Sequence, residues 1–245
     1  MNRILFERSE IADGVAVFGG ERAAHVMDVL HGEVGQILKT GEIGGRIGTG
    51  EIVAISAGAD GAPVVSVRVA HAEESPKPWM DLVLAPPRPR AMKRLLPQLA
   101  ALGVGRIVLV GARKVEKAVW GATLLKEEIY RPLLVDGLMQ AGTSILPEIS
   151  CRRDFRRFAE EELDGLFPSS RRIVAHPYGA RPPSAAPAAP GRPLLAVGPE
   201  GGWTDGEVEL LESKGFARRS LGARILRTDT ATIALIAQLM KEAGE

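Results

Sequence analysis

The sequence predicts an α/β protein in which a parallel sheet, covered by helices on both faces, follows a small N-terminal β-barrel. Three observations carry that expectation. Up to about residue 70, glycines fall at roughly ten-residue spacing between alternating apolar segments, the pattern of a small barrel. From residue 80 onward, short apolar runs alternate with helical patterns, which is how a parallel sheet buried on both faces reads. Between them, Glu73-Glu74-Ser75-Pro76-Lys77-Pro78 reads as a linker, placing the domains at residues 1–74 and 78–245.

The barrel strands are expected at Gly14–Gly20, Gly35–Gly41, Gly48–Ile55 and Val64–Val69, with one helix at Glu21–Leu30. In the second domain Met80–Ala85 is a buried-strand run, Met92–Leu102 is helical despite Pro97, and Gly103 stops it. Arg106–Val110 is a strand and Leu124–Gln140 a helix; Arg171–His176 and Pro193–Gly198 are two further strands. Pro177–Pro193, where Pro and Ala crowd together, is expected to be a mobile loop.

Apolar residues make up 45% and charged residues 25% of the 245, which excludes wholesale disorder and coiled-coil character. A chain of this length buries enough surface to need no disulfide or metal. The single Cys151 cannot bridge internally, and His25, His31, His71 and His176 lack zinc spacing, so no metal is expected. No apolar window is long enough for a membrane span, and Met1–Glu7 lacks a signal-peptide core, so a soluble cytoplasmic protein is expected.

The net charge of +1 conceals an asymmetry. Residues 1–76 carry 6 Lys/Arg against 11 Asp/Glu, a net of −5; residues 85–120 carry 8 against Glu116 alone, a net of +7. Such an island is what contact with a phosphate backbone leaves in a sequence, and it is also what a solvated helix face leaves.

The informative stretch is Leu195–Met240. Val197-Gly198-Pro199-Glu200-Gly201-Gly202-Trp203 closes a strand with a glycine-rich turn, and Thr204 and Glu207 form a capping box for a helix ending at Gly215. A strand, glycines and a helix start present backbone N–H groups to a ligand. The spacing excludes a P-loop and the G-x-G-x-x-G dinucleotide turn, and no G-x-S-x-G elbow occurs.

Together with Ser220-Leu221-Gly222-Ala223-Arg224-Ile225-Leu226-Arg227-Thr228-Asp229-Thr230-Ala231, this turn resembles the paired cofactor-loop motifs of the SPOUT-class RNA methyltransferases. The resemblance is strongest to the branch that methylates N3 of a uridine in small-subunit ribosomal RNA, and it spans the chain. It implies a PUA-like N-terminal barrel, a catalytic domain whose C-terminal chain makes a trefoil knot, and S-adenosylmethionine (SAM) as cofactor. The cofactor contacts it implies fall on His176, Ala196, Gly198, Pro199, Glu200, Gly201, Leu221, Gly222, Ile225, Leu226, Thr230 and Ala231. It further implies a homodimer packed through the final helix, whose Ile233, Ala234, Leu235, Ile236, Ala237, Leu239 and Met240 are apolar nearly all round.

For the chemistry, Arg224 is the candidate stabiliser of a uridine anion and Asp229 the candidate base. Ribosomal RNA is the expected partner. Its candidate contacts are Arg88, Arg90, Lys93, Arg94 and Arg113 in the island, Arg3 and Arg22 in the barrel, and Arg227 beside the cofactor loop. Trp79, Trp120 and Trp203 are candidates for base stacking or for the core. The segments Asp28–His31, Gln98–Val104 (with Ala101) and Gly137–Thr143 depart from the family's pattern, so the cofactor half fits better than the RNA half. Two other functions therefore stay open: a SPOUT enzyme with a different RNA target, and a non-catalytic RNA-binding or assembly factor that keeps the knot.

Overall fold

Alternating Val, Ile and Leu positions near the N-terminus pair into one six-stranded sheet. The structure, a computed structural model, describes residues 3–178 and 191–244. Its first strands are β1 (Ile4–Phe6), β2 (Ile11–Ala12) and β3 (Val15–Phe18). Helix α1 (Gly20–Ala24) continues into a π-helical turn, His25–Val29, followed by β4 (Ile37–Glu42), β5 (Ile47–Ala57) and β6 (Pro63–Glu73). The order is β1-β4-β5-β6-β3-β2; β1 and β4 run parallel and the other neighbours antiparallel. Phe6, Phe18, Val26, Leu38, Ile52, Val65 and Val67 form the core of this sheet and its helix. Gly48 is required where β5 crosses β6, since a Cβ there would fall 2.0 Å from the Ala70 carbonyl oxygen.

The chain divides into two compact units, Met1–Lys77 with Val135–Leu146, and Pro78–Leu134 with Pro147–Glu245. The segment 135–146, expected in the second domain, thus clusters with the first. Hydrogen bonds account for it: Arg3 N–H donates to Met139 O (3.1 Å), Arg3 Nε to Gly142 O (2.9 Å), and the buried Ser144 N–H to Ser75 Oγ (2.9 Å).

The second unit contains β7 (Met80–Leu84), α2 (Pro89–Ala101), β8 (Val104–Val110), α3 (Glu127–Ala141, whose last turns belong to the first unit) and β9 (Glu148–Arg152). There follow α4 (Phe155–Arg157), α5 (Leu163–Leu166), β10 (Arg171–Ala175), β11 (Pro193–Val197), α6 (Asp205–Ser213), β12 (Ala217–Arg219) and α7 (Thr228–Ala243). Every neighbour in the order β12-β10-β11-β7-β8-β9 is parallel. The central pair β7 and β11 is buried at every position, as continuous apolar runs demand.

Four strands lay outside the expectation: β1 and β2 at the edges of the first sheet, β9 and β12 at the edges of the second. Helix α2 starts three residues before the expected Met92, because Pro89 stands in its first turn where a missing N–H costs nothing. Most of the expected Pro177–Pro193 loop, residues 179–190, lies outside the described residues. Helix α7 buries Thr228, Thr232, Leu235, Ile236 and Leu239 within the chain itself, so Ile236 belongs to the core and not to a free apolar face. Among the described residues, no helix is long and apolar enough to cross a membrane.

Candidate active site

Because β12, β10 and β11 are adjacent and parallel, the loops leaving their C-terminal ends emerge along one edge of the sheet. Ligands of open α/β sheets bind outside such strand ends. The three loops are 176–178, 198–203 and 220–227, and with the start of α7 they enclose a cavity of about 460 Å³. Nine of the twelve expected cofactor contacts line it: His176, Gly198, Pro199, Glu200, Gly201, Leu221, Ile225, Leu226 and Ala231. Ala196, Gly222 and Thr230 do not. Ala196 is buried in the sheet core, Thr230 is exposed, and Gly222, with φ +108°, shapes the loop from outside the cavity.

The glycine turn is rigid by construction. Gly202 takes φ +69° and donates its N–H to Pro199 O (2.8 Å). A Cβ on Gly198 would come within 2.9 Å of Trp203 N, so the turn can close only on glycine. Lys114, which also lines the cavity, holds it by donating from Nζ to Gly201 O at 2.8 Å and to Trp203 O at 3.5 Å. Glu200 accepts from the Arg88 N–H (2.9 Å) at the start of α2, where the helix dipole favours an acid. Glu207 closes the expected capping box, its Oε2 accepting from Thr204 N–H at 2.7 Å, while Oε1 accepts from Arg113 N–H at 2.7 Å. Lys114 was legible only as charge in the basic island; nothing in its spacing announces a bond to Gly201. Tyr178, Asp205 and Arg219 also line the cavity and carried no motif of their own, and Ser220, the first residue of the second motif, lines it too.

The opposite wall is chemically open. Ala223, Arg224, Ile225 and Leu226 donate their backbone N–H groups to no acceptor among the described residues, and the side chain of Ile225 is 74% exposed. An apolar wall with unengaged N–H donors is suited to a planar heterocycle. Arg224 lines the same cavity and makes no hydrogen bond or ion pair among the described residues. His176 Nδ1 lies 2.7 Å from Tyr178 O, which ties the ring to its own loop.

Asp229 stands elsewhere. Its carboxylate accepts from Arg94 Nη2 at 2.8 Å and from Thr230 N–H at 3.0 Å, and the Arg94 hydrogen bond holds its pKa below the ordinary carboxylate value. It does not line the 460 Å³ cavity, so the expected base is a carboxylate beside that cavity and already engaged by Arg94. The barrel arginines, expected to contact RNA, are engaged within the chain. Arg3 donates to Gly142 O, to Thr40 O (2.7 Å) and to Gly48 O (2.8 Å). Arg22 donates to Leu5 O (2.9 Å), forms an ion pair with Glu10, and lies over the rings of Phe6 and Phe18. Both guanidinium groups thus have their donors met by the chain itself.

The tryptophans are structural as well. Trp203 is buried against Phe155, and Trp79 donates from Nε1 to Leu102 O at 2.8 Å. Arg153 covers the ring of Trp120.

A parallel sheet whose adjacent strand ends build a glycine-clamped cavity defines a small-ligand-binding α/β domain, and comparison with known sequences makes the class specific. The RNA methyltransferase domain profile matches residues 73–240, and the chain belongs to this family. Over 247 residues it is 31% identical to the ribosomal RNA small subunit methyltransferase E of Treponema pallidum, covering 99% of this chain and 92% of the relative. The protein of the same name from Aquifex aeolicus is 26% identical over 87% of this chain and 91% of its own. Two solved structures share the fold. A methyltransferase of Legionella pneumophila, solved in complex with SAM, superposes with a TM-score of 0.76 at 24% identity, covering 98% and 97% of the two chains. A ribosomal RNA small subunit methyltransferase E of Neisseria gonorrhoeae, also bound to SAM, gives 0.74 at 20% identity over 98% and 97%.

Proposed function

We propose that this chain is a SAM-dependent methyltransferase that methylates N3 of a uridine in small-subunit ribosomal RNA. The observation that carries the reading is the cavity itself. It is walled on one side by the Gly198–Trp203 turn and on the other by unengaged N–H groups of the 223–226 loop, in a chain of the RNA methyltransferase family. Those features fit SAM. The loop donors suit the adenine edge, Leu221, Ile225 and Leu226 its faces, and the glycines the close approach of the methionine part.

When bound, SAM supplies an electrophilic methyl group on a sulfonium. The protein's own part is electrostatic and positional. N3 of uridine becomes nucleophilic as its proton leaves, and the negative charge spreads to the flanking carbonyl oxygens. Arg224, at the cavity wall and unpaired among the described residues, is the group that stabilises that charge.

The remaining parts of the reading follow from the family resemblance. The domain at 78–245 carries a trefoil knot among the three loops, the N-terminal unit is PUA-like, and a homodimer forms through α7. On α7, Ile233, Ala234 and Met240 stay half-exposed after the chain's own core is filled. The protein acts in the cytoplasm, where small-subunit rRNA is assembled. Methyl transfer from labelled SAM to unmodified small-subunit rRNA, followed by nucleoside analysis, tests the function. Labelled 3-methyluridine is the expected product. Label in another nucleoside or only in transfer RNA would mean a different target, and no label in any RNA would mean a binding factor.

A further inference from the structure

Beside the cofactor cavity lies a second cleft of about 540 Å³, walled by the N-terminal half of α2 and the first residues of α7. Four arginines line it, Arg88, Arg90, Arg94 and Arg227, against two acids, Glu200 and Asp229. The acids are already engaged, Glu200 by the Arg88 N–H and Asp229 by Arg94. Arg88 itself is paired with Glu116 at 2.8 Å. Arg90 and Arg227 are left, and neither guanidinium makes a hydrogen bond or ion pair among the described residues. Two unpaired guanidinium groups facing one cleft repel each other unless an anion lies between them, and their fork geometry matches phosphate oxygens.

Glu200 and Thr228 line both this cleft and the cofactor cavity, so the two are contiguous. The cleft volume lies within the roughly 300–1,000 Å³ of small-ligand sites, enough for one nucleotide. On these grounds, and resting on the reading of the chain as an RNA methyltransferase, we propose that the cleft is the acceptor-nucleotide site. Arg90 and Arg227 grip the phosphates on either side of the target residue, so that its base enters the cofactor cavity past Glu200 and Thr228. The Arg94–Asp229 pair is a positioning contact that fixes α2 to the start of α7 and holds the two free arginines at their separation. Phosphate recognition is thereby assigned to two arginines far apart in sequence, and not to the whole basic island. Arg106, which donates to Leu166 O (2.9 Å), and Lys114, which holds Gly201 O, are engaged in the fold.

The test is an Arg90→Ala/Arg227→Ala protein, with Arg156→Ala/Arg157→Ala as the charge-matched control; those two arginines pair with Glu160 and Glu161 on their own helical segment. Filter binding of an unmodified small-subunit rRNA transcript across a salt series, and calorimetry with SAM, are run on both and on wild type. The cleft variant is expected to bind transcript at least about tenfold more weakly at low salt. Its log–log salt slope should be shallower by about 1.4, two phosphates at about 0.7 each, with SAM affinity unchanged and the control like wild type. A cleft variant equal to wild type on the transcript overturns the proposal. So does a loss of SAM affinity, which would make the cleft the seat of the cofactor's carboxylate, and so does inorganic phosphate binding more tightly than transcript, which would make it a free-anion site. If wild type transfers no methyl group yet the slope still depends on Arg90 and Arg227, the enzyme reading fails and the acceptor-nucleotide assignment falls with it, leaving the cleft as an RNA-phosphate site.

Discussion

In the N-terminal unit Arg3 and Arg22 are held by backbone carbonyls, by Glu10 and by two aromatic rings, whereas in the second unit the guanidinium groups of Arg90, Arg224 and Arg227 face cavities with no partner among the described residues. The side chains are chemically identical, and their neighbours decide the difference. A guanidinium carries five donors in a rigid fork, and where the fold supplies matching oxygens it becomes part of the architecture. Where the fold withholds them, an anion from outside must supply them. The net charge of a sequence segment cannot separate the two cases, which is why the acidic N-terminal segment and the basic island both needed coordinates to interpret.

The largest effect should fall on the unpartnered side of this contrast. Arg224→Ala is expected to lower kcat about 10²- to 10³-fold, the usual cost of removing a charge-stabilising donor, with SAM affinity little changed. Arg224→Lys should recover part of it. Single-turnover methyl transfer measures both, and a kcat within a few-fold of wild type for the alanine variant would place Arg224 among solvated surface charges.

On the structural side, Arg22→Ala removes the donor to Leu5 O, leaves Glu10 with the Glu7 N–H but without its ion pair, and uncovers Phe6 and Phe18. Partial exposure of the pair tempers the loss, so roughly 1–3 kcal/mol of stability is expected, read as a lower urea midpoint. RNA affinity of the folded variant should match wild type. A variant of normal stability with weakened RNA binding would reverse the assignment.

Lys114→Met keeps the aliphatic stem beside Gly201 but removes the bond to its carbonyl. A loss of about 1 kcal/mol in SAM binding, several-fold in Kd, is expected, with the melting temperature nearly unchanged. Calorimetry beside a thermal scan separates this from general destabilisation.

The smallest effect is a pH dependence of the first unit. Burial, the largest influence, lowers the pKa of His71, whose Nε2 lies 3.0 Å from Thr40 Oγ1. The unfolded chain therefore binds this proton more readily than the folded one. The stabilising contribution is present above pH ~6.5 and is lost as pH falls through the lowered folded value. His71→Gln should flatten that part of the stability–pH curve, and an unchanged curve would assign the slope to other groups.

The sequence exposed the interior of both sheets and concealed their margins. Strands β7, β8, β10 and β11 read directly because burial on both faces forces runs such as Leu82-Val83-Leu84. Edge strands have no such obligation. Strand β12 is Ala217-Arg218-Arg219 and β9 carries Glu148 and Arg152, charges of the kind that protect an open edge and erase the strand signal. The cavity was legible because its loops follow interior strands and its glycines are demanded by geometry, as at Gly198. The partners of the charged side chains were not legible, because Arg94–Asp229 and Arg88–Glu200 join residues more than a hundred positions apart. The spacing Thr204–Glu207 did announce its bond, being a contact within one helical turn.

The central claim, that the Gly198–Trp203 turn and the 220–227 loop form a SAM site, is tested most directly by calorimetric titration of SAM into wild-type and Gly201→Val protein. Gly201 has ordinary backbone angles, and the nearest atoms to an added Cβ are those of the flexible Lys114 side chain, at 3.0 Å, so the variant should fold. The account predicts one site per chain in wild type and a loss of at least about tenfold in affinity in the variant, at an unchanged melting temperature. Wild-type protein that takes up no SAM, or a Gly201→Val protein that binds it as tightly, would contradict the claim.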